Sequence, residues 1–399
     1  MNDGSLALIM WIGTHLLPGL DLVNILSSGL AVLAAREYVP RPMTTTTRRL
    51  VHDPAGLNTA AWPVGTDHLV TPVDLFFTRS HAPIPEIDPA TWRLEVGGLV
   101  DHPRTFSLAE LGAFPRQEVT ATLVCAGLRR DEFLTLGPLP GELPWGPEAA
   151  STGRWTGVAL RDVLHAVGPA DGACHVEFIG LDRVERMGQR FGFGGSIDLA
   201  KALSAEVVLA SELNGAPLPP AHGFPLRAVV PGWIGARSVK WLGRIRLSAE
   251  PSPNYFQSRA YRFQREINPR DPRDITAGVA LSDVPLNAVM LHPTADRVVP
   301  AGRLLARGWA MGSGGRPVTA VEVSPDGGHN WVPARISVTG AAWSWSFWEA
   351  ALQLSPGCHT LAVRATDSAG ETQPPSLSAT WNVKGYNNNA WHRVAIRAE

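Results

Sequence analysis

Surplus charge and cysteine are both scarce in this chain, and each shortage closes off a class of function. A formal net charge of −1 over 399 residues leaves no basic excess for nucleic acid. Ordinary apolar content, 45%, argues against disorder. Cys125, Cys174 and Cys358 lie far apart, with no zinc spacing and no Cys-x-x-Cys-His for covalent haem. An odd, small number of thiols in a long chain suggests reduced cysteines. His-Pro-Gly-Gly, typical of a fused cytochrome b-type domain, is missing, so no haem is expected in this chain. Gly192-Phe193-Gly194-Gly195 lacks the dinucleotide fingerprint and its downstream acid, and reads as a turn. Helical heptads are missing, while proline and glycine are plentiful, which favours short strands joined by turns.

The N-terminus leaves three readings open: a signal peptide, a membrane anchor, or a true start further along the chain. Leu6 to Ala35 is mostly apolar but is broken by His15, Pro18, Asp21 and Asn24. It opens with Asp3 and no Lys or Arg, unlike a signal peptide. Polar residues near the middle are costly in a membrane helix. Arg48-Arg49 has no apolar run behind it, which gives poor support to twin-arginine export. A start at Met43 is the third reading. The expected location is cytoplasmic with that start, and periplasmic or membrane-attached if the apolar stretch is a signal or anchor.

The length suits two domains after an extension spanning 1–55. Residues 56–255 mix strands and helices. Trp92 to Val96 alternates as a half-buried strand, and Ser107 with Glu110 forms a capping box that starts a helix. Val158 to Val167 has helical spacing; His175–Gly180 and Arg227–Gly232 look like buried strands. This predicts an α+β domain with its polar groups on loops. Residues 265–399 read as all-β. Val321 to Trp331 spells strand, Pro-Asp-Gly turn, strand; Trp343 to Phe347 alternates aromatic and small polar residues; His359 to Ala365 is another strand. Short strands at this spacing suggest an immunoglobulin-like sandwich.

Within the first domain, Thr120 to Leu128 runs without charge through Cys125 and meets Arg129-Arg130. A thiolate is a soft metal ligand and a nucleophile, and guanidinium groups favour its charged form. They would also hold an anionic substrate beside it. Taken alone, Cys125 reads equally well as a buried structural thiol.

The segment resembles the molybdenum-ligating motif of the sulfite oxidase family, usually Cys-Ala-Gly-Asn-Arg-Arg, with Leu128 in place of the Asn. Further matches follow the family order: Thr71 to His81, His222 to Arg227, Gly235 to Leu242, and Trp391-His392-Arg393-Val394 near the end. The resemblance covers about residue 60 to the C-terminus. It implies a molybdopterin-binding catalytic domain followed by a dimerisation domain, a likeness that extends to a homodimer. It also implies one molybdenum-molybdopterin per chain, with Cys125 ligating the metal beside the dithiolene.

By matching motifs, the resemblance assigns Phe77, Thr78, Arg79, Ser80, His81, Cys125, Asp182, His222, Arg227, Ser238, Val239 and Lys240 to the cofactor. Arg227 and Lys240 suit its phosphate by charge; a lone Asp182 is otherwise an ordinary turn or surface carboxylate. Arg79, Arg130 and Arg393 are the implied sulfite cations, since a small dianion is costly to desolvate unless several cations meet it. Tyr261 matches the active-site tyrosine, able to orient substrate or relay a proton. Trp145 matches the pocket tryptophan after a one-residue insertion. The implied reaction is oxygen-atom transfer to sulfite, with electrons passing to a separate cytochrome or to oxygen. Leucine at 128 cannot hydrogen-bond as Asn does, so a looser pocket is expected. Rival readings are a nitrate or sulfoxide reductase on the same fold, and a non-enzymatic β-sandwich binding module indifferent to Cys125.

Overall fold

Alternating β-branched and aromatic residues make strands the dominant element, and three packed cores organise them. In this computed structural model the described residues are 48–53, 55–62, 67–271 and 274–399. The apolar N-terminus, the alternative start at Met43 and the location that turns on them lie outside the described residues.

The first sheet orders its strands Gly194–Asp198, His175–Gly180, Leu242–Ser248, Leu94–Gly98, Arg104–Phe106. Leu242–Ser248 runs parallel to Leu94–Gly98; the other pairings are antiparallel. The second sheet orders Ala216–Pro217, Val208–Leu213, Ala150–Ala159, Arg116–Val124, with Arg227–Val229 also paired to Val208–Leu213. The helix Leu160–Val167 buries Leu160, Val163, Leu164 and Val167, one face at helical spacing, in the core that also holds Val96, Phe178, Leu209 and Ile245. The capping box forms as the sequence predicts, on the short helix Leu108–Leu111.

Several expectations need correction. Among the described residues the longest α-helix is Leu160–Val167, so the α+β domain is mostly sheet with few helices. Val158 and Ala159 stay in a strand because both pair with the strand Val208–Leu213. Gly194 and Gly195 are not a turn: they pair with Ile179 and Phe178 in the first sheet.

The C-terminal part is a two-sheet sandwich. One sheet orders Asn287–His292, Gly302–Met311, Ser346–Leu354, Arg335–Val338. The other orders Arg297–Val299, His392–Ala398, Gly357–Asp367, Val318–Ser324, Val332–Pro333. Their inner faces share a core of Met290, Val323, Trp348, Leu352, Val363 and Ile396.

Trp345 and Phe347 do not belong to that core. They pack with Leu123, Val124 and Trp155 of the N-terminal part. The Trp345 indole donates to His68 O and Leu69 O at 3.1 and 3.2 Å, and Thr122 N donates to Trp343 O at 2.9 Å. Residues 46–399 accordingly form one compact unit.

Candidate active site

The strand Arg116–Val124 carries its antiparallel pairing to Val124↔Ala150 and then turns at Cys125. Cys125 N donates to Ala149 O at 2.9 Å, and Leu128 N to Cys125 O at 2.9 Å, closing the turn. The thiol is 8% exposed, and its sulfur accepts from Gly127 N at 3.4 Å.

The two arginines after this turn separate. Arg129 has φ 58°, which sends its side chain away from the sulfur. It is fully buried, forks onto Glu132 at 2.6 and 2.8 Å, and donates to Asn287 Oδ1 at 2.8 Å. It joins the two parts of the chain. Arg130 turns inward: Nε donates to Lys384 O at 2.8 Å, Nη1 to Leu143 O at 2.9 Å, and the fork lies 5.0 Å from the Tyr386 ring centre. Leu128 is packed in the apolar core, and Arg130 is held by the Lys384 and Leu143 carbonyls with no Asn at position 128.

Two cavities meet at Cys125. The inner one is lined by Phe77, Thr78, Ser80, Asp182, His222, Arg227, Ser238 and Lys240, together with Phe76, Phe193 and Trp241. The outer one is lined by Arg130, Glu142, Arg186, Arg259, Lys384 and Tyr386. Arg79, His81, Cys125 and Tyr261 line both. The sulfur therefore sits at the junction of a deep chamber and a cationic vestibule.

The inner chamber is built on paired backbone. Thr78 bridges Thr59, and Asn58 Oδ1 accepts from both Arg79 Nη1 (2.9 Å) and Ser80 N (3.1 Å). Arg227 donates to His222 O at 2.9 Å and Ser238 O at 3.0 Å, and lies 4.8 Å from the Trp155 ring centre. Lys240 Nζ donates to Ser80 Oγ at 2.7 Å and Ala221 O at 2.9 Å. Among the described residues neither Arg227 nor Lys240 is in an ion pair with a carboxylate.

Burial pushes the Arg227 guanidinium down to about 9 and holds Lys240 well below its ordinary value, with Arg227 adding repulsion. His222 falls to about 3 by burial and the same two cations. Asp182 is raised by burial, although Phe193 N donates to it at 2.8 Å. Two buried cations against the single carboxylate of Asp182, which forms an ion pair with neither, favour an anion here.

Three assigned residues fall outside both cavities. Val239 is buried and uses its carbonyl to accept from Ala228 N at 2.9 Å, so it serves the backbone. Trp145 is fully buried against His52, ring centres 4.1 Å apart, behind Phe77. Arg393 points away: it is an outward position of the strand His392–Ala398, donates to Pro375 O at 2.8 Å and lies over Trp391.

The cation that the C-terminal part does supply is Lys384, missed in the sequence along with Glu142 and Tyr386. Asn387 N donates to Ala126 O at 2.7 Å and Asn388 Nδ2 to Arg129 O at 2.8 Å, pinning the loop that carries Lys384 to the cysteine turn. Gly385, at φ 59°, permits the approach, since a Cβ there would stand 2.8 Å from Arg130 Cγ. The readable signal was a cation beside a Gly-Tyr-Asn-Asn-Asn loop.

Among the described residues no cluster of three or more His, Cys, Asp or Glu forms a metal site. The chain thus offers one thiol at the junction, and a metal there needs its other ligands from a bound organic group. The anion-seeking chamber with its Phe76, Phe193 and Trp241 walls fits a phosphorylated pterin.

Comparison with known proteins agrees. Residues 81–256 match the oxidoreductase molybdopterin binding domain and residues 279–399 the Mo-co oxidoreductase dimerisation domain. Sulfite oxidase of Gallus gallus is 42% identical over 338 residues, 82% of this chain and 73% of that one. The mitochondrial sulfite oxidase of Mus musculus is 39% identical over 343 residues, 83% of this chain and 62% of that one. A nitrate reductase of Hordeum vulgare is 38% identical over 353 residues, 82% of this chain but 39% of that one. The sulfane dehydrogenase SoxCD structure from Paracoccus pantotrophus shares the fold, with a TM-score of 0.72, 24% identity, and coverage of 96% of this chain and 93% of that one. With the thiol, the chamber and both domain matches in place, the chain belongs to the sulfite oxidase family of molybdopterin oxidoreductases.

Proposed function

We propose that the chain oxidises sulfite to sulfate, taking an oxygen atom from water and passing two electrons to a separate acceptor, a cytochrome or oxygen. The observation that carries this reading is the junction: a buried thiol between an anion-seeking chamber and a vestibule lined by Arg79, Arg130, Arg186, Arg259 and Lys384. A vestibule with five cations and one carboxylate favours a dianion over singly charged nitrate. Cys125 would ligate molybdenum, and the inner-chamber residues would hold the pterin and its phosphate. The bound group supplies two-electron oxygen-atom transfer.

The chain's own residues bind and orient. Arg79, Arg130 and Lys384 draw the oxyanion out of water toward the sulfur. Tyr261, pushed up to about 12 chiefly by burial, stays a phenol and donates a hydrogen bond. The sandwich would be immunoglobulin-like and carry a homodimer contact, giving twice the 42.8 kDa chain mass in light scattering.

The test combines metal analysis with sulfite-dependent ferricyanide reduction, on wild type and Cys125→Ser. One molybdenum per chain, with activity lost in the variant, supports the reading. Molybdenum with nitrate reduction and no sulfite turnover transfers it to the nitrate reductases, and no molybdenum from cells able to make the cofactor overturns it.

A further inference from the structure

A carboxylate stands among the cations of the outer cavity. Glu142 Oε2 lies 3.2 Å from Arg130 Nη2, and Glu142 Oε1 lies 3.1 Å from Lys384 Nζ. Its side chain is 17% exposed, and that of Arg130 5%. These pairs are therefore less screened than ordinary surface pairs.

The remainder of the Arg130 fork is committed elsewhere. Nε and Nη1 donate to the carbonyls of Lys384 and Leu143, and Tyr386 covers one face. At the vestibule, Arg130 and Lys384 both close on Glu142. One carboxylate spanning a guanidinium and an ammonium through separate oxygens has the geometry by which these groups would hold a small oxyanion. Glu142 is also the one carboxylate that lines this cavity. It reaches in from a turn in which Glu142 N donates to Leu139 O at 3.3 Å, and Gly141, at φ 77°, precedes it with nothing within 4 Å of a notional Cβ. The turn is open beside Gly141.

We propose that Glu142 is a specificity-determining residue, an internal carboxylate that occupies the oxyanion position between Arg130 and Lys384 until substrate displaces it. A dianion competes better than a monoanion for two cations already paired with a carboxylate, so the device selects against nitrate-like ions. Apparent affinity is reduced by the fraction of molecules with Glu142 swung away. If that fraction is about 1–10%, a neutral side chain at 142 tightens oxyanion binding about 10–100-fold. The substrate named here rests on the sulfite reading; the binding test does not.

The experiment titrates sulfate into the holoenzyme by calorimetry, comparing wild type, E142Q and E142A. Glu95→Gln is the control, removing the same charge from an exposed pair with Arg244. The expected result is at least tenfold tighter sulfate binding in both Glu142 variants and no change in the control. Unchanged or weaker binding overturns the proposal, and weaker binding shows that Glu142 positions the two cations instead. Tighter sulfate binding in an enzyme that does not turn over sulfite keeps this inference and removes the proposed reaction.

Discussion

His81 Nε2 lies 2.8 Å from the Tyr261 hydroxyl, while His81 Nδ1 faces Arg79 Nη2 at 3.3 Å. A guanidinium can only donate, so Nδ1 accepts and Nε2 carries the proton. Burial, then Arg79, Arg186 and Lys240, hold His81 well below its ordinary pKa, so the ring stays neutral. The Tyr261 oxygen accepts from His81, which leaves the phenol proton for the junction of the two cavities.

Tyr261→Phe removes that donor while leaving the ring stacked on Tyr386. A hydrogen bond to a charged group is worth about 1.5–3 kcal/mol, so kcat/KM for sulfite should fall about 10–100-fold. Molybdenum content should not change. Because the phenol titrates near 12, wild-type activity should show no alkaline loss from Tyr261 below about pH 11. Steady-state kinetics with metal analysis decide it; wild-type kcat/KM in the variant removes Tyr261 from the reaction.

Lys240 offers a test of the anion chamber in which stability and binding move in opposite directions. A cation held in a depressed state without a carboxylate partner costs folding free energy until a counter-charge arrives. The unfolded chain binds the Lys240 proton more tightly than the folded one, so across the window between the two pKa values apoprotein stability rises with pH. Lys240→Met should hold or raise the apoprotein melting temperature, by up to about 2–4 °C per kcal/mol, while molybdopterin content drops severalfold. Differential scanning calorimetry and cofactor analysis measure both. A destabilised apoprotein with normal cofactor content would make Lys240 a structural residue.

Gly127 is set by contact with Arg130. A Cβ there would stand 2.7 Å from the Arg130 guanidinium carbon, too close for the arginine to remain. Gly127→Ala should displace Arg130 and raise KM for sulfite about tenfold, since one charged hydrogen bond is worth about 1.5 kcal/mol. Cys125 stays in place, so molybdenum content should be normal. An unchanged KM would mean that Arg130 does not contact the substrate.

Local patterns made the strand alternation and the Ser107–Glu110 capping box legible, while the residues that line the chamber were reached through the resemblance of their motifs to the sulfite oxidase family. What escaped depends on direction and long-range approach. Arg129 and Arg130 are adjacent, yet a positive φ at Arg129 sends them to different partners. Arg393 came from the resemblance, and the strand period bears on where it points. His392, Val394 and Ile396 face inward, so Arg393 between them faces out. Lys384 sits in an irregular loop whose approach to Arg130 depends on contacts more than 250 residues apart in sequence, which no local pattern encodes. Alternation from Trp343 to Phe347 tells which side is buried, not against what, and Trp345 and Phe347 share a core with Leu123 and Trp309 from the two parts of the chain.

His392 makes the acid limb of stability a measurable consequence of the join between the two parts. Its Nδ1 accepts from Met290 N at 3.0 Å, which fixes the neutral ring, and burial followed by repulsion from Arg129 lowers its pKa to about 4. An unfolded histidine titrates near 6.5, so as pH falls the unfolded chain takes the proton first. Stability contributed by the neutral ring is intact above about pH 6.5 and is lost progressively down to about pH 4. At about 1.4 kcal/mol per unit the loss is on the order of 3 kcal/mol. His222, lowered to about 3, adds a loss of the same sign over a longer range. His392→Asn places an amide oxygen where Nδ1 accepts, keeping the Met290 bond without the titration. Urea unfolding at pH 7 and pH 4.5 should show the variant losing about 2–3 kcal/mol less than wild type between the two. Equal losses would place the acid sensitivity elsewhere.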